Sequence, residues 1–238
     1  MKHFHSQLKS LVTGQMIASS GGKAYITATG GTAKATLYDS TGAALANPIT
    51  LNNGAIDFYT ADTVAAVDLY IQSPTGHFLV VKNIKPSGPA SLFLDDSQAH
   101  TTMVIPFNVA DQAGDATETP CGFTLTGAVQ PNVAIDVDTV DATETIDVGT
   151  LSTASGDADG FIDGLSVATE GYIKATNANG AVTIGTKLYI QDSANAGDDY
   201  PEQDISQIGK QVSYTLSAGS DTAAGFIMIP MQLPQSSL

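Results

Sequence analysis

Short runs in which apolar and polar residues alternate recur along the whole chain, and Gly, Asn, Asp or Pro bounds each run. Alternation with a period of two places successive side chains on opposite faces of a strand, so these runs predict β-strands. In the first part of the chain the predicted strands are Tyr25–Thr29, Ala35–Tyr38, Pro48–Leu51, Ile56–Tyr59, Ala66–Gln72 and Phe78–Ile84. Tight turns are predicted at Asp39–Gly42, Leu51–Gly54 and Ser73–Gly76. This pattern is typical of an antiparallel meander, which we interpret as a small β-sandwich.

The second part of the chain continues in the same style, and no sustained helical stripe of apolar residues interrupts it. The predicted strands are Thr102–Val109, Gly122–Val129, Val133–Val137, Tyr172–Ala175, Lys187–Gln191, Gln211–Leu216 and Gly225–Met231. Residues Gly164–Thr169 fit either one helical turn or a strand. Surface loops rich in Gly or Asp are predicted at Asp111–Thr119, Ser152–Asp159 and Ser193–Asp204. The sequence therefore predicts an all-β protein.

Charge divides the chain into two parts. Residues 1–94 carry six Lys and four acidic residues, and residues 95–238 carry three Lys and 20 acidic residues, so the net charges are +2 and −17. Close to this change lies Lys85–Ser91, where two prolines and a glycine end regular structure. We therefore predict an N-terminal arm over residues 1–22, a sandwich module over residues 23–90, and an acidic β-rich domain over residues 91–238.

The segment Met1–Gly22 has a basic start and a mildly apolar middle. Thr13, Gly14 and Gln15 interrupt the continuous hydrophobic run that a signal peptide needs. We interpret the segment as an arm that orders against a neighbour, with a frayed terminus and a cleaved signal peptide as the alternatives. No apolar run approaches the roughly 20 residues needed to span a bilayer, so we expect no membrane-embedded part.

Composition argues against binding to nucleic acid. All nine basic residues are lysines, so the arginine fork that grips phosphate through two bonds is missing. The net charge of −15 repels phosphate further. We therefore expect no nucleic-acid partner and no anionic membrane partner. The single cysteine, Cys121, excludes an internal disulfide and is predicted to be a buried thiol.

Few side chains in this sequence titrate near neutral pH, as most catalytic groups must. His3 and His5 form a His-x-His pair in the predicted arm, but no further ligand follows at metal-binding spacing. His77 and His100 lie apart from them, and nucleophile-elbow, P-loop and His-Glu-x-x-His motifs do not occur. We therefore expect a non-enzyme with no catalytic residues, no cofactor and no transition-metal site.

An acidic stretch forms the middle of the chain, with eight Asp or Glu residues and no Lys over residues 136–163. Its tightest piece contains Asp157, Asp159 and Asp163, and it resembles a fragment of a calcium loop. The third early ligand and the closing Glu of an EF-hand are missing. A solvated acidic loop is therefore the favoured interpretation, with bound calcium as the alternative.

The segment Ala35–Thr50 is followed by Asn53-Gly54 and by the strands Ile56–Tyr59 and Val67–Gln72. It resembles small β modules of tailed-bacteriophage structural proteins, in which a strand, a D-x-x-G turn and an L-x-N-P corner recur. Such modules occur at the base of fibres and on head proteins. In the corner, Pro48 pushes the preceding residue out of the helical region and fixes an extended entry to the next strand.

A second resemblance runs from Ala181–Ile190 through Gln207–Lys210 to Asp221–Pro230. A G-x-x-L-Y strand, a later I-G pair and a final apolar strand are similar to phage capsid decoration, or cement, proteins built on a small β-barrel. This resemblance implies that the second domain is barrel-like toward its C-terminus.

Together, the resemblances imply a virion structural protein that binds the outer surface of a phage capsid and stabilises it. They imply the major capsid protein as partner, a homotrimer, and lattice contacts through the arm and the barrel-like C-terminal part. The charge fits the outer surface, because an anionic chain inside the head would face concentrated phosphate. A phage tail or fibre component is the first alternative, a secreted adhesin or carbohydrate-binding module the second, and a hydrolase the last.

Overall fold

A computed structural model describes residues 1–10, 22–73, 76–86, 90–94, 100–178, 181–185, 187–190, 200–201, 204–217 and 222–233. Within these ranges the chain forms 22 strands and two single 3-10 turns, and it has no α-helix. The prediction of an all-β protein is therefore confirmed. No helix in the described part of the chain is long and apolar enough to cross a membrane. The chain divides into two compact units, Met1–Thr101 and Thr102–Leu238.

The first unit contains nine strands in two sheets. The strands are β1 (Lys2–Ser10), β2 (Lys23–Ala28), β3 (Leu37–Tyr38), β4 (Ala44–Leu45), β5 (Ile49–Thr50), β6 (Ala55–Thr60), β7 (Val67–Gln72), β8 (Phe78–Ile84) and β9 (Ala90–Leu94). One sheet has the order β4-β3-β6-β1-β9 and the other has the order β5-β2-β7-β8. A single apolar cluster contains buried side chains from both sheets: Phe4, Leu8, Ile56 and Phe58 from the first, and Ala24, Ile26, Val67, Leu69 and Ile71 from the second.

The start of the predicted arm is an internal strand of this unit. Residues Lys2–Ser10 form β1, which pairs antiparallel with β6 and parallel with β9. Phe4, Ser6 and Leu8 are buried, whereas His3 and His5 alternate with them on the other face. The arm assignment is therefore wrong for these residues, because polar residues in the alternation hid a half-buried strand. Residues 11–21 of the predicted arm lie outside the described residues.

Turn chemistry in the first unit follows the sequence closely. Asn53 and Gly54 both have positive φ, at 48° and 68°, and the Ala55 N–H donates to the Asn52 carbonyl at 2.9 Å. This is the geometry of a two-residue turn that favours Asn-Gly. At the D-x-x-G turn, the Asp39 carboxylate accepts bonds from the backbone N–H groups of residues 41 and 43, at 2.8 and 2.9 Å. Both predicted turns are confirmed.

The L-x-N-P corner is held by the side chain of Asn47. Its amide nitrogen donates to the carbonyls of Ile26 and Ala35 at 2.7 and 2.9 Å, and its oxygen accepts from the Ile26 N–H at 3.0 Å. The Asn47 side chain therefore bonds both backbone groups of Ile26 in β2 and links them to the segment that contains Ala35. The Asn47–Pro48 peptide bond is cis.

The second unit contains β10 to β22. The strands are β10 (His100–Asn108), β11 (Thr119–Thr124), β12 (Ala128–Val129), β13 (Ala134–Thr139), β14 (Thr145–Thr150), β15 (Ile162–Ser166), β16 (Gly171–Lys174), β17 (Asn177–Ala178), β18 (Ala181–Val182), β19 (Tyr189–Ile190), β20 (Tyr200–Pro201), β21 (Gln211–Leu216) and β22 (Ala224–Gln232). The main sheets have the orders β10-β22-β13-β16, with β12 also paired to β22, and β11-β21-β14-β15. Strand pairs β17-β18 and β19-β20 complete the unit.

Several boundaries in the second unit differ from the prediction. The predicted strand Gly122–Val129 is broken into β11 and β12, and a side chain at Gly127 would clash with the backbone of Gln232. The ambiguous residues 164–169 are resolved as strand up to Ser166, where β15 ends. Strand β14 was not predicted. Of the predicted loop Ser193–Asp204, only residues 200, 201 and 204 are described, and the first two form β20.

Candidate functional site

The outer face of the β1-β6 pair gathers two histidines and a carboxylate. In the antiparallel register, His3 lies opposite Tyr59 and His5 lies opposite Asp57. Because side chains alternate along a strand, all four project from the same face, away from buried Phe4. Of the residues that the structure describes, only His3, His5 and Asp57 bring three His, Cys, Asp or Glu ligand atoms within 4.8 Å of one another.

Contacts within the group fix its side chains. His3 Nε2 lies 2.6 Å from an Asp57 carboxylate oxygen, and the His3 ring stacks on Tyr59 with ring centroids 4.5 Å apart. The rings of His3 and His5 have centroids 6.2 Å apart. On the buried face of the same strands, Phe4 stacks on Phe58 with ring centroids 5.2 Å apart. This contact packs β1 and β6 against the core.

Sequence spacing could not identify this group. His3 and His5 were noted as a His-x-His pair without further ligands, and the third member comes from β6, 52 residues beyond His5. Asp57 itself is unremarkable in the sequence, since it is one polar residue in an alternating strand. The group could have been found only by predicting that the first ten residues form a strand and that this strand pairs with β6.

The calcium candidates occupy a packed loop and the strand that follows it. Asp157 and Asp159 lie together, and Lys187 Nζ lies 3.5 Å from an Asp157 oxygen. A hydrogen bond with Asp157 raises the pKa of Asp159 to about 6, and partial burial and the negative charge of Asp157 act in the same direction. Asp163 belongs to β15, and its ligand atoms do not join the other two in one compact group. A solvated acidic loop stays the prediction for these three residues, with bound calcium as the untested alternative.

The backbone around the calcium candidates is closely packed. A side chain at Gly149 would meet the Asp157 carbonyl oxygen, and a side chain at Gly185 would meet the Asp159 carbonyl oxygen. The Thr150 N–H donates to that Asp157 carbonyl at 2.7 Å. These contacts already occupy the Asp157 carbonyl, one of the oxygens that a calcium loop would offer.

A second notable feature is the turn over residues 204–210, which displays two isoleucines. Ile205 is 66% exposed and Ile208 is 43% exposed. The Ile208 N–H lies 3.4 Å from the Ile205 carbonyl, so the two residues form the ends of one four-residue turn. Asp204 exchanges backbone bonds with Val129 at 2.9 and 3.0 Å, and buried Gln207 accepts a bond from the Thr150 hydroxyl at 2.7 Å. The turn is therefore anchored while its aliphatic side chains face outward.

The remaining titratable residues noted in the sequence do not join either feature. Cys121 is buried, as predicted, and His77 is buried beside the predicted turn of residues 73–76. His100 is exposed at the start of β10. Burial raises the pKa of Tyr214, whose hydroxyl donates to the Asn108 carbonyl at 3.1 Å. The hydrogen bond gives the buried Tyr214 hydroxyl a partner, so this residue has a structural role.

Comparison with known proteins gave no match. No protein-family model matches the chain, and no curated protein or solved structure shows significant similarity to it.

Proposed function

We propose that this chain is a virion structural protein that binds the outer surface of a phage capsid and stabilises it as a decoration, or cement, protein. The observation that carries the proposal is the anchored turn over residues 204–210, which holds Ile205 and Ile208 in solvent. Large aliphatic side chains presented together on a fixed turn suit a contact with another protein, where burying them is favourable. This turn also falls within the segment that resembles decoration proteins.

The proposal includes finer features of the fold. In this proposal the first unit forms a β-sandwich, which is supported by an apolar cluster that draws buried side chains from both sheets. The second unit is barrel-like toward its C-terminus, and three copies associate on the capsid. A protein that binds only the assembled lattice lowers the free energy of that lattice and so opposes its disassembly.

The charge of the chain supports a location on the outer surface of the capsid. Residues 95–238 carry a net charge of −17, from three Lys and 20 acidic residues. That charge would oppose any position close to packaged DNA. The contact with the shell is therefore formed by apolar side chains and backbone pairing rather than by basic residues.

Edge strand β16 offers a further contact in the C-terminal part. Among the strands that the structure describes, β16 pairs only with β13, and it carries Tyr172, which is 64% exposed. An exposed tyrosine beside an unpaired strand edge combines an aromatic anchor with free backbone donors and acceptors. The first ten residues do not provide such an edge, because β6 and β9 already pair with β1.

Labelled particles test the proposal directly. Virions of the phage that encodes the chain are treated with a gold-tagged antibody against it and imaged by electron microscopy. We expect label distributed over the outer surface of the head. Label confined to the tail or its fibres would overturn the capsid assignment and favour the tail or fibre alternative. Absence of the chain from purified particles would overturn the virion role altogether.

A further inference from the structure

We infer that His3, His5 and Asp57 form a binding site for one divalent transition-metal ion of the zinc class. The inference is independent of the proposed role on the capsid. It rests on the convergence of three ligand atoms, all within 4.8 Å of one another, from two adjacent strands. It gives a role to the His-x-His pair, for which sequence spacing supplied no third ligand.

The chemistry of the three groups matches zinc and its neighbours. Two neutral imidazole nitrogens and one carboxylate oxygen are ordinary zinc ligands, and they suit Co²⁺ and Fe²⁺ as well. Calcium and magnesium prefer sites made wholly of oxygen, so they fit this group poorly. Three protein ligands leave a fourth position for water or for a group from another molecule.

The three ligand atoms can reach zinc-binding distances through movement of the side chains alone. Tetrahedral zinc with bonds of about 2.0–2.1 Å holds its ligand atoms about 3.3 Å apart. The three ligand atoms already lie within 4.8 Å of one another, and the His3–Asp57 contact of 2.6 Å has to open slightly. The backbone can stay in place, since β1 and β6 pair across the whole group.

The surrounding residues hold the group ready for an ion. Stacking on Tyr59 restricts the His3 ring, and the Phe4–Phe58 pair beneath fixes the spacing of the two strands. His5 and Asp57 are direct cross-strand partners, which places their Cβ atoms about 5 Å apart.

A plain surface ion pair is the competing interpretation. Such a pair needs only His3 and Asp57, whose side chains are 48% and 60% exposed, and it would contribute little stability. The ion pair gives no part to His5, whereas the metal site needs it as much as the other two residues. Substitution of His5 therefore separates the two interpretations.

Titration of the full chain, without a histidine tag, tests the inference. Co²⁺ is added while the visible d–d absorption is recorded, and Zn²⁺ is titrated by calorimetry. We expect one ion per chain and the intense visible bands of a four-coordinate Co²⁺ complex, which Zn²⁺ displaces. Saturating Zn²⁺ should raise the Tm of the first unit by on the order of 5 °C, because the ion binds only where β1 and β6 are paired.

Variants identify the ligands. H3A, H5A and D57N should each weaken Zn²⁺ binding by about a hundredfold or more and abolish the Co²⁺ bands. The matched controls are H100A, which removes an exposed histidine elsewhere, and D62N, which neutralises an exposed carboxylate of the same unit. Both controls should bind as the wild type does, and circular dichroism confirms that every variant is folded.

Three outcomes would overturn the site. The first is the absence of both heat and visible bands at millimolar metal. The second is unchanged affinity in H5A or in D57N while H3A loses binding, since the ion would then not need all three proposed ligands. The third is an equal loss in H100A, which would show nonspecific binding to histidines.

Discussion

The carboxylate of Asp68 in the first unit is buried, since the residue is only 1% exposed. It accepts bonds from the Asn83 N–H at 2.7 Å, the Thr29 hydroxyl at 3.1 Å and the Gly30 N–H at 3.2 Å, and Lys82 Nζ lies 3.5 Å away. We expect D68A to destabilise the first unit by about 2–3 kcal/mol, because several donors would lose a buried acceptor.

Urea unfolding followed by circular dichroism measures this effect on the first unit. The matched control is D62A, which removes a carboxylate whose side chain is 77% exposed and which pairs with the N-terminal amine. Its effect should stay within about 0.5 kcal/mol. A D68A variant as stable as D62A would contradict the importance of the buried network.

Asp159 gives the second unit a specific dependence on pH. Its pKa in the folded protein is raised from 3.8 to about 6, so the folded state binds a proton more tightly than the unfolded state does. Stability from this group is therefore fully present below about pH 4 and is lost as the pH rises through about 6.

D159N removes that titration and serves as the test. Urea midpoints of wild type and variant are compared between about pH 4 and pH 7, so that the carboxylates that do not interact with Asp159 cancel in the difference. We expect the wild type to lose stability relative to D159N as the pH rises. A constant difference across this range, or a measured Asp159 pKa near 4 by carboxyl NMR, would contradict the raised pKa of Asp159.

The anchored turn is the element on which the proposed capsid contact depends. Replacing both Ile205 and Ile208 by Ser should lower occupancy on capsids at least about tenfold, since apolar area buried in the contact is lost. Occupancy is measured by co-sedimentation of the purified protein with undecorated capsids. The variant should keep the stability of the wild type, because both side chains already face solvent.

V140S is the matched control, since Val140 is 43% exposed, as Ile208 is, and belongs to the same unit. It should leave occupancy unchanged. Equal losses in V140S and in the double variant would show a general surface effect and count against the turn as the contact.

Short-range chemistry explains which elements could be predicted from the sequence. The Asn53-Gly54 turn and the strand Phe78–Ile84 follow from local backbone preference and alternation, so both were located correctly. Strand β1 was missed because its assignment depends on pairing with β6, far along the chain. The metal-binding group was missed for the same reason: Asp57 joins the histidines only through that pairing.

At the scale of the whole molecule, sheet membership follows the division into two units. Strands β1 to β9 form two sheets and β10 to β22 form the others, with no sheet shared between the two sets in the described part of the chain. Each unit also has its own buried apolar side chains. A unit that contains its own core and its own sheets can fold alone.

We therefore expect residues 100–238, expressed without the first unit, to fold. The cut belongs before His100 rather than after Thr101, because β10 begins at His100 and pairs along the edge of β22. Dispersed amide signals by NMR and a cooperative urea transition would show folding. A fragment that stays unfolded, while the full chain shows a single transition, would mean that the second unit needs the first. In that case the two units are one cooperative structure, and substitutions in the first unit would lower capsid binding by the second.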